Sequence, residues 1–194
     1  MIRRALPLLL GCAALLLAAP ATADPAMLQP SLSLAHPEVR LQAPMPLDDW
    51  RLVVQIPQGW TIEETPDEIL ISPPDMPNTG IVITETYEFT AATFQDGVVR
   101  SFTPDTGIVA EAEALSQVGM LQVPLVRALV PLDENQRVRQ LLALFEFDPK
   151  EFPILVIASA PAESWAMAEP SLEAIVHSIA PLMTEEEAFA AAER

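Results

Sequence analysis

The sequence predicts an α+β fold, an antiparallel sheet sandwiched by helices. Three observations carry that reading. Residues 121–132 and 138–147 are apolar at odd and even positions alike, as in strands covered on both faces. Short polar turns, Asp133-Glu134-Asn135-Gln136 and Asp148-Pro149-Lys150-Glu151, separate these segments from each other and from the apolar run 154–160. Strands joined so closely run antiparallel. Elsewhere the apolar residues recur at helical spacing, as Phe94, Val98 and Phe102 and again as Leu172, Ile175, Val176 and Ile179.

The chain opens on a secretory signal. Arg3 and Arg4 precede an apolar run from Ala5 to Ala19, and Ala21-Thr22-Ala23 gives an A-x-A cleavage site before Asp24. The run is shorter than the ~20 apolar residues of a membrane-spanning helix, so no stable membrane insertion is expected after cleavage. Residues 1–23 are read as the signal peptide and the protein as periplasmic. Leu9-Leu10-Gly11-Cys12 also spells a short lipoprotein box, but a lipidated Cys12 would be followed by more apolar residues, Ala13 to Ala19. Cys12 is therefore read as a small apolar residue of the signal. The mature chain then holds no thiol, which excludes disulfides, cysteine catalysis and cysteine metal ligands.

Residues 24–48 carry Pro25, Pro30, Pro37, Pro44 and Pro46 and are read as an extended linker. A single domain is expected over 49–181, with a helical tail over 182–194. Trp50, Leu52, Val54 and Ile56 alternate with Arg51, Val53 and Gln55, a strand period. Pro57-Gln58-Gly59 supplies a turn, after which Trp60 and Ile62 resume. The expectation is a hairpin with Trp60 plugging its mouth. Further strands are expected at 68–72, 80–89 and 108–117, and a helix from Thr90 or Thr93 to about Phe102, ended by Pro104. Pro170 suits the first position of the last helix, and Pro181 its end. Thr184-Glu185-Glu186-Glu187 forms a capping box for the tail.

Charge and composition narrow the function. The formal net charge of -17 becomes -19 once Arg3 and Arg4 leave with the signal peptide. Such a surface repels nucleic acid and anionic lipid, and neither is expected as a partner. The two histidines, His36 and His177, are far apart in the chain, and no G-x-S-x-G stands anywhere in it. With six glycines and no phosphate loop, no nucleotide cofactor is expected. Aromatic residues make up 6%, too few for a sugar cleft beside paired carboxylates. Acidic pairs such as Asp48-Asp49, Glu63-Glu64 and Asp67-Glu68 could attract Ca2+ or Mn2+, but no EF-hand spacing occurs. They are read as solvated turns, with no metal site assigned.

Two charges interrupt apolar strands. Glu85 shares a face with Ile83 and Tyr87, and Arg127 with Leu125 and Leu129. A buried charge needs a partner, so the two either pair with each other or mark a ligand pocket between sheet and helix. The alternative is that both sit at strand ends or edges and reach water. If the chain has a ligand site, its candidates are Glu85, Arg127, Tyr87 and Trp60. No catalytic residue and no cofactor are assigned.

Three stretches carry a family resemblance: Ile56-Pro57-Gln58-Gly59-Trp60; Ala158-Ser159-Ala160-Pro161-Ala162-Glu163-Ser164-Trp165; and Pro170-Ser171-Leu172-Glu173-Ala174-Ile175-Val176-His177-Ser178-Ile179. With the element order around them they resemble the PsbP/Mog/DcrB-like fold family, over about residues 50–181. The resemblance implies an antiparallel sheet between helical layers. It also implies non-catalytic work: accessory binding to a photosystem, binding to a small GTPase, or a periplasmic role. No functional residue set transfers by motif. The expectation is an exported, non-catalytic binding or assembly accessory with a protein partner. The alternative is a carrier of a small apolar ligand between sheet and helices.

Overall fold

Seven strands form the central sheet, and every pairing in it is antiparallel. The computed structural model describes residues 39–102, 107–118, 121–133, 135–148 and 152–182. The signal peptide, Cys12, His36, Pro104, Lys150 and the Thr184 capping box lie outside the described residues. Taken in order across the sheet, the strands are β3 (Thr61–Glu64), β4 (Ile69–Ser72), β5 (Gly80–Glu85), β11 (Ile154–Pro161), β10 (Arg137–Phe145), β9 (Leu125–Pro131) and β6 (Val109–Ala112). A small sheet of β1 (Met45–Leu47), β2 (Leu52–Val54) and β12 (Ala180–Pro181) lies apart from it, as does a hairpin of β7 (Ser116–Val118) and β8 (Leu121–Val123). The helices are α1 (Phe94–Ser101) and α2 (Trp165–Ser178).

The doubly apolar strands are covered on both sides. Side chains alternate across a strand, so β10 sends Leu141, Ala143 and Phe145 one way and Leu142 and Leu144 the other. The first set packs with Trp165, Ala168, Leu172, Ile175 and Val176 of α2 and with Leu47, Leu52 and Val54 of the small sheet. The second packs with Phe94 and Val98 of α1 and with Val126, Val130, Leu155 and Ile157. Between β5 and β6 the chain passes over the sheet as α1 and returns through the β9-β10-β11 meander. This is the α+β arrangement expected.

Several local expectations are corrected. β2 and β3 form no hairpin: β2 pairs with β1 and β12, and β3 opens the main sheet. The Pro57-Gln58-Gly59 turn, with Gly59 at φ 88°, is a crossing between sheets, closed by the Trp60 amide donating to the Pro57 carbonyl at 3.3 Å. Trp60 is half-buried and packs against the larger core, so its packing role survives without the hairpin. Folded structure also reaches into the proline-rich stretch, where Met45–Leu47 pair with β2 and Leu41 bridges to Pro57. β5 stops at Glu85, short of Phe89. Pro124 splits residues 121–132 into β8 and β9, because proline has no N–H to give the ladder.

Pro170 lies inside α2, which begins at Trp165. The missing N–H would have met the carbonyl of Ala166, an exposed residue whose carbonyl water can serve. Burial of Trp165 favours the longer helix. Its far end is tied down by Ser178, whose hydroxyl accepts from the Gln55 amide at 2.9 Å and donates to the Ile175 carbonyl at 2.7 Å.

Gly97 is where α1 meets the chain that precedes it. A Cβ there would stand 2.7 Å from the Phe89 ring, which itself packs edge-on against Phe94 at 5.7 Å. Gly97→Ala should therefore fail to raise stability in urea denaturation, although alanine is favoured in helices by about 1 kcal/mol. In a Phe89→Ala background the same change should recover that gain; equal effects in both backgrounds would contradict the contact.

Candidate functional site

The turn between β3 and β4, Thr65-Pro66-Asp67-Glu68, is closed on itself. The Thr65 amide donates to the Glu68 carbonyl at 2.9 Å, and the Glu68 amide to the Thr65 hydroxyl at 3.1 Å. The Thr84 hydroxyl on β5 donates to the Asp67 carbonyl at 3.0 Å and holds this turn against the main sheet. Facing it is the 3-10 turn Asp48–Trp50, which ends in Arg51 at φ 51°. Between them opens a cleft of about 580 Å3 lined by Asp49, Trp50, Glu64, Thr65, Pro66, Asp67, Thr84, Glu85 and Tyr87. Those described residues include four carboxylates and neither Lys nor Arg. Among the described residues no three acidic or histidine side chains are grouped to hold a metal ion.

Glu85 and Tyr87 are thus brought together, with the Tyr87 hydroxyl donating to Glu85 Oε2 at 3.5 Å. Tyr87, the only tyrosine in the chain, is 72% exposed. Its ring sits 4.2 Å from that of Phe152, itself 54% exposed, with planes 60° apart. The backbone fixes this pair. Beyond the end of β5 the Thr86 amide donates to the Pro153 carbonyl at 2.9 Å, continuing the pairing with β11, and the Thr86 hydroxyl accepts from the Glu88 amide at 3.3 Å.

Arg127 lies elsewhere. Through the registers of β9, β10, β11 and β5 it is level with Leu141, Ala158 and Ile81, three strands and four residues from Glu85. Ordinary sheet spacing makes that roughly 20 Å, so the two do not pair. Arg127 instead donates from Nε to Glu113, from Nη1 to Glu169 and from Nη2 to Glu173. Partial burial alone would lower its pKa; the hydrogen bonds to Glu173, Glu113 and Glu169 and the charge of Glu113 outweigh that and push it up. The guanidinium joins β9 to α2 and to the segment after β6. It also borders an open groove of about 460 Å3 with Glu113, Ser116, Glu173 and His177 among its walls. There the exposed His177 Nε2 stands 3.2 Å from the Ser116 hydroxyl. Trp60 is not among the residues lining either cleft.

Sequence reasoning did not single out Phe152, Trp50 or Glu169. Glu169 and Glu173 are one helical turn apart, a usable signal, but a helix begun at Pro170 leaves Glu169 outside it.

The chain is similar in structure to the Ran-binding protein Mog1p of Saccharomyces cerevisiae, with a TM-score of 0.53 and 12% identity over 74% of this chain and 96% of that one. A mutant Mog1 gives a TM-score of 0.54 and 11% identity over 76% and 98%. The cyanobacterial PsbP of Synechocystis sp. PCC 6803 is more distant, with a TM-score of 0.46 and 14% identity over 81% and 99%. No family model and no curated protein sequence matches the chain. The protein has a PsbP/Mog-like α+β fold.

Replacing Arg127 with Met should lower stability by on the order of 1–3 kcal/mol, between the usual values for exposed and buried pairs, because three carboxylates are left facing one another. Adding Glu169→Gln and Glu173→Gln should restore part of the loss in thermal denaturation. No recovery would show that the arginine acts by packing alone.

Proposed function

We propose that the protein is an exported, non-catalytic binding or assembly accessory whose partner is another protein. The observation that carries this reading is the Tyr87–Phe152 pair, held by backbone hydrogen bonds yet exposed beside an acidic cleft. Large exposed aromatics held in place are characteristic of protein interfaces. Mog1p, which has the same fold, is described as a Ran-binding protein, and the likeness supports a binding role by analogy of fold. Export and a periplasmic address rest on the N-terminal sequence. Among the described residues no helix is long and apolar enough to cross a membrane.

The packing favours this reading over the apolar carrier. Between the main sheet and α2, Leu141, Ala143, Val156, Ala158, Leu172 and Ile175 are sealed from solvent. The cleft beside Trp165 measures about 240 Å3, below the ~300 Å3 of ordinary ligand pockets. The two larger clefts are open and carry carboxylates.

The Ser116–His177 contact is the feature closest to catalytic geometry. Among the described residues no carboxylate orients the His177 ring, and Glu173, one turn away, is bound to Arg127. A nucleophilic serine needs an oriented base and donors for the developing oxyanion. A fluorophosphonate probe should therefore leave Ser116 unlabelled, and labelling lost in His177→Ala would overturn the non-catalytic reading. The positive test is native mass spectrometry after capture from periplasmic extract. A stoichiometric protein partner is expected; a bound apolar small molecule without one would favour the carrier.

A further inference from the structure

Among the described residues, five large hydrophobic side chains are well exposed: Tyr87, Val109, Leu115, Phe152 and Met167. Two of them, Tyr87 and Phe152, lie ring against ring at a tilt of 60°, and Tyr87 also forms part of the wall of the acidic cleft. Across that cleft Trp50 adds a third aromatic ring, and Asp49, Glu64, Asp67 and Glu85 supply negative charge. Aromatic faces and carboxylates side by side suit one chemistry, a guanidinium or ammonium carried on an apolar stem.

Resting on the accessory reading, we propose that the Tyr87–Phe152 pair and the adjoining cleft form the docking surface for a segment of another protein that alternates basic and apolar residues. Charge selects this occupant. A second copy of the chain would bring a net charge of -17 to the same surface. The chain's own segments outside the described residues offer little better. Residues 24–38 contain no Lys or Arg, 149–151 contain the single Lys150 beside Glu151, 183–194 contain Arg194 beside Glu185, Glu186, Glu187 and Glu193, and Arg3 and Arg4 fall in the segment read as the signal peptide. A divalent cation is disfavoured because the carboxylates do not converge. A partner's Arg or Lys side chains can meet them one at a time, while apolar residues between them cover Tyr87 and Phe152. Two parts of the surface are held in place: the Thr84 hydroxyl ties the β3–β4 turn to the main sheet, and the Thr86 amide donates to the Pro153 carbonyl beside the ring pair.

The test is fluorescence anisotropy of the full chain with three labelled peptides: alternating Arg and Leu, alternating Glu and Leu, and alternating Arg and Gly. The Arg–Leu peptide should bind best and weaken as salt rises. Tyr87→Ala with Phe152→Ala should weaken it about tenfold or more, as should Glu64→Lys with Glu85→Lys. Tyr87→Phe should keep most of the binding, and Met167→Ala, a distant exposed residue on α2, should change nothing. All these sites are exposed, so the melting temperature should hold and separate lost binding from lost fold. Equal binding of the Glu–Leu peptide, or undiminished binding by the aromatic double variant, would overturn the proposal. So would a dimer in sedimentation that the aromatic double variant abolishes, which would assign the surface to a second copy. The two readings fail separately. A captured partner that the double variant still holds would leave the accessory role standing and remove this surface. Peptide binding as described, with no protein captured, would do the reverse.

Discussion

The pairing of β10 with β11 is the constraint on which the rest of the molecule depends. Eight consecutive residues of each strand face one another, from Val138 opposite Pro161 to Phe145 opposite Ile154. Nearly all are buried, on both faces of the sheet. A slip of one residue would exchange the α1-facing and α2-facing sets throughout. It would also strand both faces, since each is shaped to a different cover. The pair therefore demands two covers. α1, with Phe89, Phe102 and Ile108 around it, serves one face, while α2, the small sheet and Trp60 share the other. Beyond Glu85 and Ile154 the ladder runs on by one bond, from Thr86 to Pro153. That last bond carries the order of the core out to two aromatic rings in solvent.

Electrostatics divides the surface in a way the core does not. With so few cations in the chain, the placing of each one matters. Arg127 is spent on three carboxylates, so acidic α2 can lie against the acidic segment after β6 without mutual repulsion. The cleft beside Tyr87 is built differently: no described residue lining it is basic. One acidic cluster is thus closed by the protein's own charge and holds elements together. The other faces outward, with aromatic rings beside it.

Much of the fold was legible in the sequence. Apolar residues at both parities in 121–132 and 138–147 pointed to strands covered on both faces, and the helical stripes named what covers them. The hairpin at Pro57-Gln58-Gly59 was misread because a tight turn looks the same whether the chain returns to the same sheet or leaves for another. Only the pairing of β2 with β1 just before it and with β12 near the far end of the described chain decides that. Pro170 was placed at a helix start by a rule of local geometry, but the burial of Trp165 five residues earlier prevailed. The candidate site divides similarly. Glu85 and Tyr87, two apart on one strand, are neighbours in space. Of the alternatives open for Arg127, pairing with Glu85 fails, because its partners Glu113, Glu169 and Glu173 come from a loop and a helix whose approach is a tertiary event. Phe152 carried no signal at all until the register of β11 against β5 brought it opposite Tyr87.

The most direct measurement is hydrogen–deuterium exchange of the protein with and without its captured partner. Protection confined to the 3-10 turn, the β3–β4 turn and the segments around Tyr87 and Phe152 is the result expected. Protection centred on α2 and β6, with those segments unchanged, would contradict the view that the core's order is carried out to that surface for binding.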